Sequence, residues 1–363
     1  MTVVWRSMNE ISGVIEGVNE LESSVIFYIF KTAATVGRLP TMTTKITFVI
    51  FFLLFASALI LGQSKGQPQP EKAVTTPNIP GVVAAGTKVE RIWTTTTTSA
   101  DGLIAALDGT LLLPQQGASI ISKADKDGKL TVFLEDTNGA GGLAIDSTGR
   151  YIAVERTIPR VRMLLPERKV LVDSYEGKPL EGASDIVADK KGGVYVTEGR
   201  KTPPTSAVYY INSAGRVTRV ISDVDRANGI QLSPDGKTLY IGDTSGQFLL
   251  AYDVQSDGTA TRRRNFAKLA DGQQRGADGL TVDAAGRLYV ATGIGVQVFS
   301  PEGRHLGTIT SPRQVTTVAF AGSDKRTFYF IGRGTDGPGG EGPNARSLYK
   351  VAMLAQGFKG RAK

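Results

Sequence analysis

The feature that most constrains this 363-residue chain is a pattern that occurs six times after residue 100. Each copy starts with small or polar residues, continues as an apolar run, passes through a tight turn and ends in a second apolar run. The copies are ADGLIAALDGTLLLPQ, AGGLAIDSTGRYIAVE, ASDIVADKKGGVYVTE, ANGIQLSPDGKTLYIGD, ADGLTVDAAGRLYVAT and TTVAFAGSDKRTFYFIG. Each copy therefore predicts two antiparallel strands joined by a turn.

The spacing of the copies identifies the fold class. Their leading apolar residues are 40, 43, 44, 50 and 38 residues apart, at Leu103, Leu143, Ile186, Ile230, Leu280 and Val318. A further hairpin follows most copies, for example VQVFSPEGRHLGTI after the fifth. Four strands in about 40–45 residues are typical of one propeller blade, so the sequence predicts an all-β, six-bladed β-propeller. We expect a strand from residues 86–98 to close the last blade, because closure removes unpaired sheet edges.

The N-terminal part of the chain has a different character. Residues 46–61, ITFVIFFLLFASALIL, form one long apolar run with Lys45 before it. Sixteen residues are short for a membrane-spanning helix and typical of a signal-peptide core. We predict a signal peptide or signal anchor at 42–66, with 1–41 as an upstream extension outside the fold. Export would place the protein in the periplasm or outside the cell, and residues 46–61 would contact the membrane only if uncleaved.

Composition sets the remaining boundaries. Residues 62–100 are rich in Gln, Pro and Thr, and their first half predicts a flexible linker at 67–85. The propeller is predicted to span 86–356, followed by a basic tail at 357–363.

The composition also excludes several kinds of chemistry. The chain has no cysteine, which removes disulfides, thiolate zinc sites, iron–sulfur clusters and cysteine nucleophiles. Its one histidine, His305, lies where a turn runs into a strand, and we expect it to be solvent-exposed. The net charge is +8, but the basic residues are scattered, so no nucleic-acid partner is predicted. We expect a monomer that acts on a small molecule through carboxylates, amides and hydroxyls.

Two rings of residues follow from propeller geometry. The first strand of each blade lines the central channel, so the residues that open these strands converge on one face. The second strands return to that face at their ends. The inner ring is Asp101, Gly141, Ser184, Asn228, Asp278 and Thr316. The outer ring is Gln115, Glu155, Glu198, Asp243, Thr292 and Gly332.

The inner ring has the composition of a cation site. Five of its six residues carry carboxylate, amide or hydroxyl oxygens, and none is basic. Bringing Asp101 and Asp278 together without a cation is unfavourable, and calcium accepts such mixed oxygen ligands. We therefore predict a Ca²⁺ site at Asp101, Asn228 and Asp278, completed by Ser184 or water, with another divalent cation as an alternative. A second interpretation of Asn228-Gly229 and Asp278-Gly279 is a pair of plain turns.

Three segments resemble the gluconolactonase and senescence-marker-protein (regucalcin) family of six-bladed propellers. They are ANGIQLSPDGKTLYIGDT, GADGLTVDAAGRLYVATGIGVQVFSPEGRHLGTI and GASDIVADKKGGVYVTEGR, and the C-terminal LYKV also fits. The resemblance covers about residues 86–356. It implies that Asn228 is a metal ligand, and that Asp278 is both a ligand and a candidate base.

The chain also departs from the family pattern. The family opens its first blade with Glu-Gly-Pro, whereas Asp101-Gly102-Leu103 stands here. Ser184 replaces an Asn of the third segment, and Glu198 replaces the Asp at the end of its second strand. A substrate arginine of some members, expected just before Ser184, is absent because Gly182-Ala183 stand there. These departures leave the substrate open.

The resemblance implies a metal-dependent hydrolase that opens a lactone or acts on a sugar-acid-like substrate, and the predicted signal segment adds export. Asp278 is the candidate base and Glu198 the reserve base. The candidate substrate contacts are Ser184, Asp185, Glu155 and Asp243. The sequence leaves two alternatives: a non-catalytic propeller that binds a ligand or protein, and another ester hydrolase on the same scaffold, such as a strictosidine-synthase-like enzyme.

Overall fold

The computed structural model describes residues 73–199, 206–270, 276–334 and 345–360. The predicted upstream extension, the signal segment and the start of the predicted linker lie outside these residues. Within the described ranges, no helix is long and apolar enough to cross a membrane.

Six four-stranded antiparallel sheets account for almost all of the regular structure. An outer strand precedes them in the chain, β1 (Glu90–Thr95). Blade I consists of β2 (Ile104–Ala105), β3 (Leu111–Gln115), β4 (Ile120–Ala124) and β5 (Leu130–Leu134). Blade II consists of β6 (Ala140–Ile145), β7 (Tyr151–Glu155), β8 (Arg160–Leu165) and β9 (Lys169–Val172). A small hairpin follows, formed by β10 (Ser174–Tyr175) and β11 (Lys178–Pro179).

The remaining blades repeat this order. Blade III consists of β12 (Ala183–Ala188), β13 (Val194–Glu198), β14 (Ala207–Ile211) and β15 (Val217–Ile221). Blade IV consists of β16 (Ala227–Leu232), β17 (Thr238–Asp243), β18 (Phe248–Val254) and β19 (Ala260–Lys268). Blade V consists of β20 (Leu280–Val282), β21 (Leu288–Thr292), β22 (Gly295–Phe299) and β23 (His305–Ile309). Blade VI contains β24 (Gln314–Ala321), β25 (Thr327–Arg333) and β26 (Arg346–Ala352).

The fourth strand of blade VI comes from the N-terminal side of the propeller. Strand β1 pairs antiparallel with β26, from Glu90 opposite Lys350 to Thr95 opposite Arg346. The hydroxyls of Thr94 and Ser347 lie 2.9 Å apart across this pair. The predicted six-bladed propeller and its closure by a strand from 86–98 are therefore confirmed.

The first and second strands of a blade are joined by turns that aspartate side chains stabilise. In blade II, Asp146 Oδ1 accepts hydrogen bonds from the backbone N–H groups of Thr148 and Arg150. Its Oδ2 accepts a 2.6 Å bond from Arg150 Nε. In blade V, Asp283 makes the same contacts with Ala285 and Arg287. An aspartate that bonds backbone N–H groups two residues on favours a turn, which explains the repeated Asp-x-x-Gly and similar motifs.

Residues on both sides of the predicted 86–356 boundary pack against the blades. Ile79, Val82 and Val83 are at most 1% exposed and belong to the apolar core between blades V and VI. The described part of the predicted linker thus contributes to the core, because three of its apolar residues, Ile79, Val82 and Val83, are buried against these blades. At the other end, Gly357 forms a bridge with Asp283.

Side chains that include Phe358 leave little free space inside the central channel. The N–H group of Phe358 donates to Val282 O, which holds the chain beneath the first strand of blade V. Its side chain lines a cavity of about 20 Å³ together with Leu103, Gln231 and Val318. This volume holds about one water molecule. Phe358, in the described start of the predicted basic tail, therefore helps to narrow the interior of the channel.

Candidate functional site at the channel mouth

The inner-ring residues sit in irregularities of the first strands. In blade III, Ala183 pairs with Glu198 and Ile186 pairs with Val196, so two residues, including Ser184, face one partner. Blade IV has the same shift between Ala227 and Ile230. Blades II and VI have corresponding shifts at Gly141 and Thr316. A β-bulge redirects side chains locally, so these shifts account for polar residues at the start of otherwise buried strands.

Backbone contacts join neighbouring blades at this level. The N–H group of Leu103 in blade I donates to Thr317 Oγ1 in blade VI over 3.3 Å. Gly279 N in blade V donates to Thr316 O over 2.9 Å. Ile230 N in blade IV donates to the Asp185 carboxylate of blade III over 3.2 Å.

Two glycines show why small residues follow the ring positions. A Cβ on Gly102 would lie 1.8 Å from Gly141 O of the next blade, and one on Gly229 would lie 1.9 Å from Asp278 O. These contacts are far below any tolerated distance, so only glycine allows the blades to approach. The glycine of Asn228-Gly229 is thus needed for packing between blades, not for a turn between paired strands.

Asn228 is held by side chains on both sides. Its Oδ1 accepts a 2.7 Å hydrogen bond from Ser184 Oγ, and its Nδ2 donates a 3.0 Å bond to Thr244 Oγ1. The three side chains are partly exposed, so the network lies at the mouth. Ser184 and Asn228, predicted from the sequence as neighbours in one ring, are in direct contact.

Asp101 is paired with an arginine that the sequence did not predict. Its Oδ2 lies 3.2 Å from Arg156 Nη2, and its Oδ1 accepts a 2.9 Å bond from Gly102 N. The same Arg156 Nη2 donates to Ser184 O over 2.9 Å. Arg156 therefore extends from blade II to both neighbouring blades and places a positive charge beside the predicted acidic ligand.

Asp278 is 5% exposed and lies just before β20. Its N–H group donates to Ala291 O over 2.9 Å, and its carbonyl packs against Gly229. These contacts fix its backbone between blades IV and V, at the ring position expected from the sequence.

Asp185 is buried and joins blades rather than facing the mouth. Its Oδ1 accepts a 2.9 Å bond from Ile186 N, and its Oδ2 accepts the bond from Ile230 N. A carboxylate that satisfies two buried N–H groups has a structural role, because these donors otherwise have no water to bond. Asp185 therefore supports the strands that carry Ser184 and Asn228, and its role as a substrate contact stays a prediction.

Glu155 is enclosed by two arginines. Its side chain is fully buried, and it lies 2.5 Å from both Arg160 Nε and Arg162 Nε on the adjacent strand β8. Asn138 Nδ2 donates to the same carboxylate over 2.9 Å. Removing one partner of such a buried pair is strongly destabilising. Glu155 is thus part of the packing of blade II, which the pattern of strand ends alone does not reveal.

Glu198 and Asp243 also bond protein groups. Glu198 is fully buried, with Oε1 accepting from Glu181 N over 2.6 Å and Oε2 from Tyr209 Oη over 3.0 Å. Asp243 Oδ1 accepts from the N–H groups of Arg226 and Ser245. Both carboxylates hold neighbouring backbone segments in place, and the predicted roles of Glu198 as reserve base and Asp243 as substrate contact stay predictions.

His305 is exposed, as predicted. Its Nε2 lies 3.2 Å from Thr308 Oγ1, and its ring centroid is 5.4 Å from that of Phe299. It lies on the outer strand of blade V, away from the mouth.

The predicted cation ligands have suitable chemistry. Asp101 and Asp278 supply carboxylates, Asn228 supplies an amide oxygen and Ser184 a hydroxyl, which are donors that calcium accepts. Thr316 Oγ1 is buried at the same ring level and has no hydrogen-bond partner among the described residues. Arg156 competes for Asp101. No group of three or more His, Cys, Asp or Glu side chains suited to a metal occurs within the described ranges.

The sequence contained a signal for Arg156. Gly141, the ring residue of blade II, has no side chain, and Arg156 directly follows the outer-ring residue of the same blade. A long residue at that position can occupy the space that the glycine leaves, and the structure shows this arrangement.

Comparison with known proteins gives a consistent result. The model of the SMP-30/Gluconolactonase/LRE-like region matches residues 90–332. The gluconolactonase of Zymomonas mobilis is 26% identical over 254 residues, which cover 60% of this chain and 71% of that protein. The chain covers between 41% and 71% of the length of the curated relatives compared here.

Solved structures share the fold. A gluconolactonase from Xanthomonas campestris superposes with a TM-score of 0.63 at 24% identity, covering 78% of this chain and 99% of that one. The calcium-binding protein regucalcin from Agrobacterium tumefaciens gives a TM-score of 0.60 at 20% identity, covering 72% and 93%. At these identities the likeness demonstrates the propeller alone.

Proposed function

The chain belongs to the SMP-30/gluconolactonase/LRE-like family, and from this membership we propose that it hydrolyses lactones at the mouth of the channel. The observation that carries the proposal is the polar network of Asp101, Arg156, Ser184 and Asn228 on the face predicted from the repeats. The named relative, a gluconolactonase, supports the choice of a lactone as substrate class.

The proposed reaction is the addition of water to the ring ester. The water oxygen bonds to the lactone carbonyl carbon, the bond from that carbon to the ring oxygen breaks, and the ring oxygen takes up a proton. The product is the open-chain hydroxy acid. Asp278 is the proposed base that accepts the proton of the attacking water, because it supplies a carboxylate at the ring position where the family resemblance implies a base. A positioned base of this kind contributes about 10²–10⁴-fold in rate.

We include a divalent cation, calcium in the first instance, in the proposal. Asp101, Asn228 and Asp278 would hold it, with Ser184 beside them. When bound, such an ion polarises the ester carbonyl and stabilises developing negative charge. Ser184 and Thr244 orient the Asn228 amide so that Oδ1 and Nδ2 are distinguished. Asp185 keeps the Ser184 and Asn228 strands at a fixed separation.

Export through residues 42–66 is part of the same proposal. It rests on the apolar run 46–61, and N-terminal sequencing of protein from the native host tests it through a mature start between residues 59 and 67.

The experiment for the main proposal is hydrolysis of a panel of lactones, followed by acid release, with calcium and with a chelator. We expect calcium-dependent turnover in the wild type. A protein that binds a lactone without turnover would instead be a ligand-binding propeller. Activity on open-chain esters but on no lactone would indicate another ester hydrolase.

A further inference from the structure

A second cavity lies at the other end of the first strands, away from the channel mouth. Its volume is about 270 Å³, which is the space of about nine water molecules. Ala106 and Leu107 line it directly after β2, and Ile145 lines it at the end of β6. Leu107 is 70% exposed, so the cavity is open to solvent and has room for a small molecule.

Three lysines surround this cavity. Lys190 comes from a turn of blade III, Lys325 from a turn of blade VI and Lys359 from the C-terminal segment. Blades III and VI are opposite each other in a ring of six, so Lys190 and Lys325 approach the cavity from opposite sides. The ammonium of Lys325 donates to Phe358 O over 3.0 Å, and this bond holds the backbone next to Lys359.

The two aspartates that line the cavity already have donors. Asp146 pairs with Arg150, and the side chain of Asp146 has no exposed surface. Asp189 accepts two backbone N–H bonds at Oδ1 and a 2.7 Å bond from the Tyr210 hydroxyl at Oδ2. Because Arg150 balances Asp146, the three lysines face the single charge of Asp189 among the lining side chains. The cavity therefore has an excess of positive charge.

We propose that this cavity binds a short-chain dicarboxylate. The excess charge of its lysines matches a dianion, and ammonium groups on opposite sides suit carboxylates at the two ends of one molecule better than a single phosphate. Ala106, Leu107 and Ile145 provide an apolar wall for the carbon chain between the two carboxylates. The site is independent of the proposed lactone hydrolysis, since it shares no residue with the polar network at the mouth.

Isothermal titration calorimetry of the full-length protein with succinate and with adipate tests this proposal. We expect saturable binding of at least one of the two dicarboxylates, and the binding should weaken as salt is added, because salt screens exposed charges. Succinamide, which has the succinate skeleton without its charges, should not bind. Sulfate, a dianion without a carbon chain, should bind at least about 10-fold more weakly, because it buries no apolar surface.

Substitution of the lysines tests the charge of the site. Lys190→Gln and Lys359→Gln should each raise the Kd of the dicarboxylate about 3- to 10-fold, since each removes one charged contact at an exposed position. Lys191→Gln is the matched control. Lys191 is the exposed neighbour of Lys190, but its Nζ donates to Ser256 O over 2.6 Å. This variant should stay within about twofold of the wild-type Kd.

A charge placed on the apolar wall gives a second test. Leu107→Glu should raise the Kd at least about 10-fold, because it puts a carboxylate beside the bound dianion. Leu354→Glu is its control, since Leu354 is 54% exposed, does not line the cavity and changes the net charge by the same amount. Both side chains are exposed, so both variants should keep the melting temperature of the wild type.

Four results would overturn the site. One is the absence of saturable binding of both dicarboxylates to the wild type at millimolar concentrations. Another is equal affinity for sulfate, which would indicate a general anion-binding surface. Equal effects of Lys190→Gln and Lys191→Gln would show that surface charge alone attracts the ligand. Equal effects of Leu107→Glu and Leu354→Glu would place the bound molecule outside this cavity.

Discussion

The hydroxyl of Ser184 donates a 2.7 Å hydrogen bond to the amide oxygen of Asn228 across the boundary between blades III and IV. This contact joins two ring positions that are 44 residues apart in sequence. It also fixes which side of the amide faces which neighbour, since Nδ2 bonds Thr244. The orientation of the Asn228 amide is therefore set by its hydrogen bonds to Ser184 and Thr244.

Replacing Asn228 by alanine tests the proposed cation site. We expect calcium to raise the melting temperature of the wild type, because an ion that binds only the folded state stabilises it. In Asn228→Ala, calcium should no longer raise the melting temperature, and kcat/KM should fall by at least about 100-fold. The variant should keep its fold. Differential scanning calorimetry with and without calcium measures the first effect.

Asn212→Ala is the matched control for that experiment. Asn212 caps a turn by accepting from Ala214 N and Arg216 N, on the opposite side of the blade. It should lower the melting temperature equally with and without calcium. A calcium-dependent rise that persists in Asn228→Ala would remove Asn228 from the cation site.

Asp278→Asn separates proton transfer from ligand binding. The amide keeps one oxygen but does not accept a proton from water, so we expect kcat to fall about 10²–10⁴-fold while calcium still raises the melting temperature by part of its wild-type amount. Initial rates at saturating lactone give kcat. Wild-type kcat in this variant would exclude Asp278 as the base.

Ile79→Ala tests whether the segment before β1 belongs to the folded core. Ile79 is 1% exposed, and its side chain packs closely against Gly307. A Cβ atom added to Gly307 would lie only 2.9 Å from it. We expect the free energy of unfolding to fall by about 2–5 kcal/mol, as for buried isoleucines in general. Ile158→Ala, at a residue 61% exposed, should change it by less than about 0.5 kcal/mol in denaturant titrations. Equal decreases in the free energy of unfolding for the two variants would support the prediction that residues 67–85 are a linker.

Asp146 gives the protein a defined sensitivity to acid. Burial raises the pKa of Asp146, but hydrogen bonds from Thr148 and Arg150 outweigh it, so the pKa lies below its ordinary value of 3.8. The folded state therefore favours the charged form, and its stabilisation is present above the unfolded pKa. It is lost as the pH falls below 3.8 through the folded pKa.

The comparison of wild type with Asp146→Asn measures this effect. The difference in the free energy of unfolding should be largest near neutral pH and should shrink as the pH falls below 3.8. Denaturant titrations at a series of pH values test it. A difference that does not change with pH would show that the Asp146 charge does not contribute.

The structural features that recur from blade to blade could be predicted from the sequence. The period placed Asp101, Ser184 and Asn228 on one face, because each blade presents the same strand start to the channel. It also predicted the closing strand β1, since an unpaired edge would otherwise remain.

Contacts that occur in only one blade could not be predicted from the repeat pattern. Glu155 occupies a predicted ring position but is enclosed by Arg160 and Arg162, and this depends on the path of one strand in one blade. Arg156 reaches two blades because its side chain is long and flexible. Ile79 contacts residues more than two hundred positions away.

The position of Phe358 affects how a substrate and its product would enter and leave the channel. The free space among Leu103, Val318 and Phe358 inside the channel is about 20 Å³, which is too small for a lactone to pass. A lactone and its acid would have to use the same opening in turn. The bound product would therefore block substrate binding until it dissociates, so product inhibition would be competitive. A rising concentration of the acid outside the protein would slow binding of the next substrate molecule.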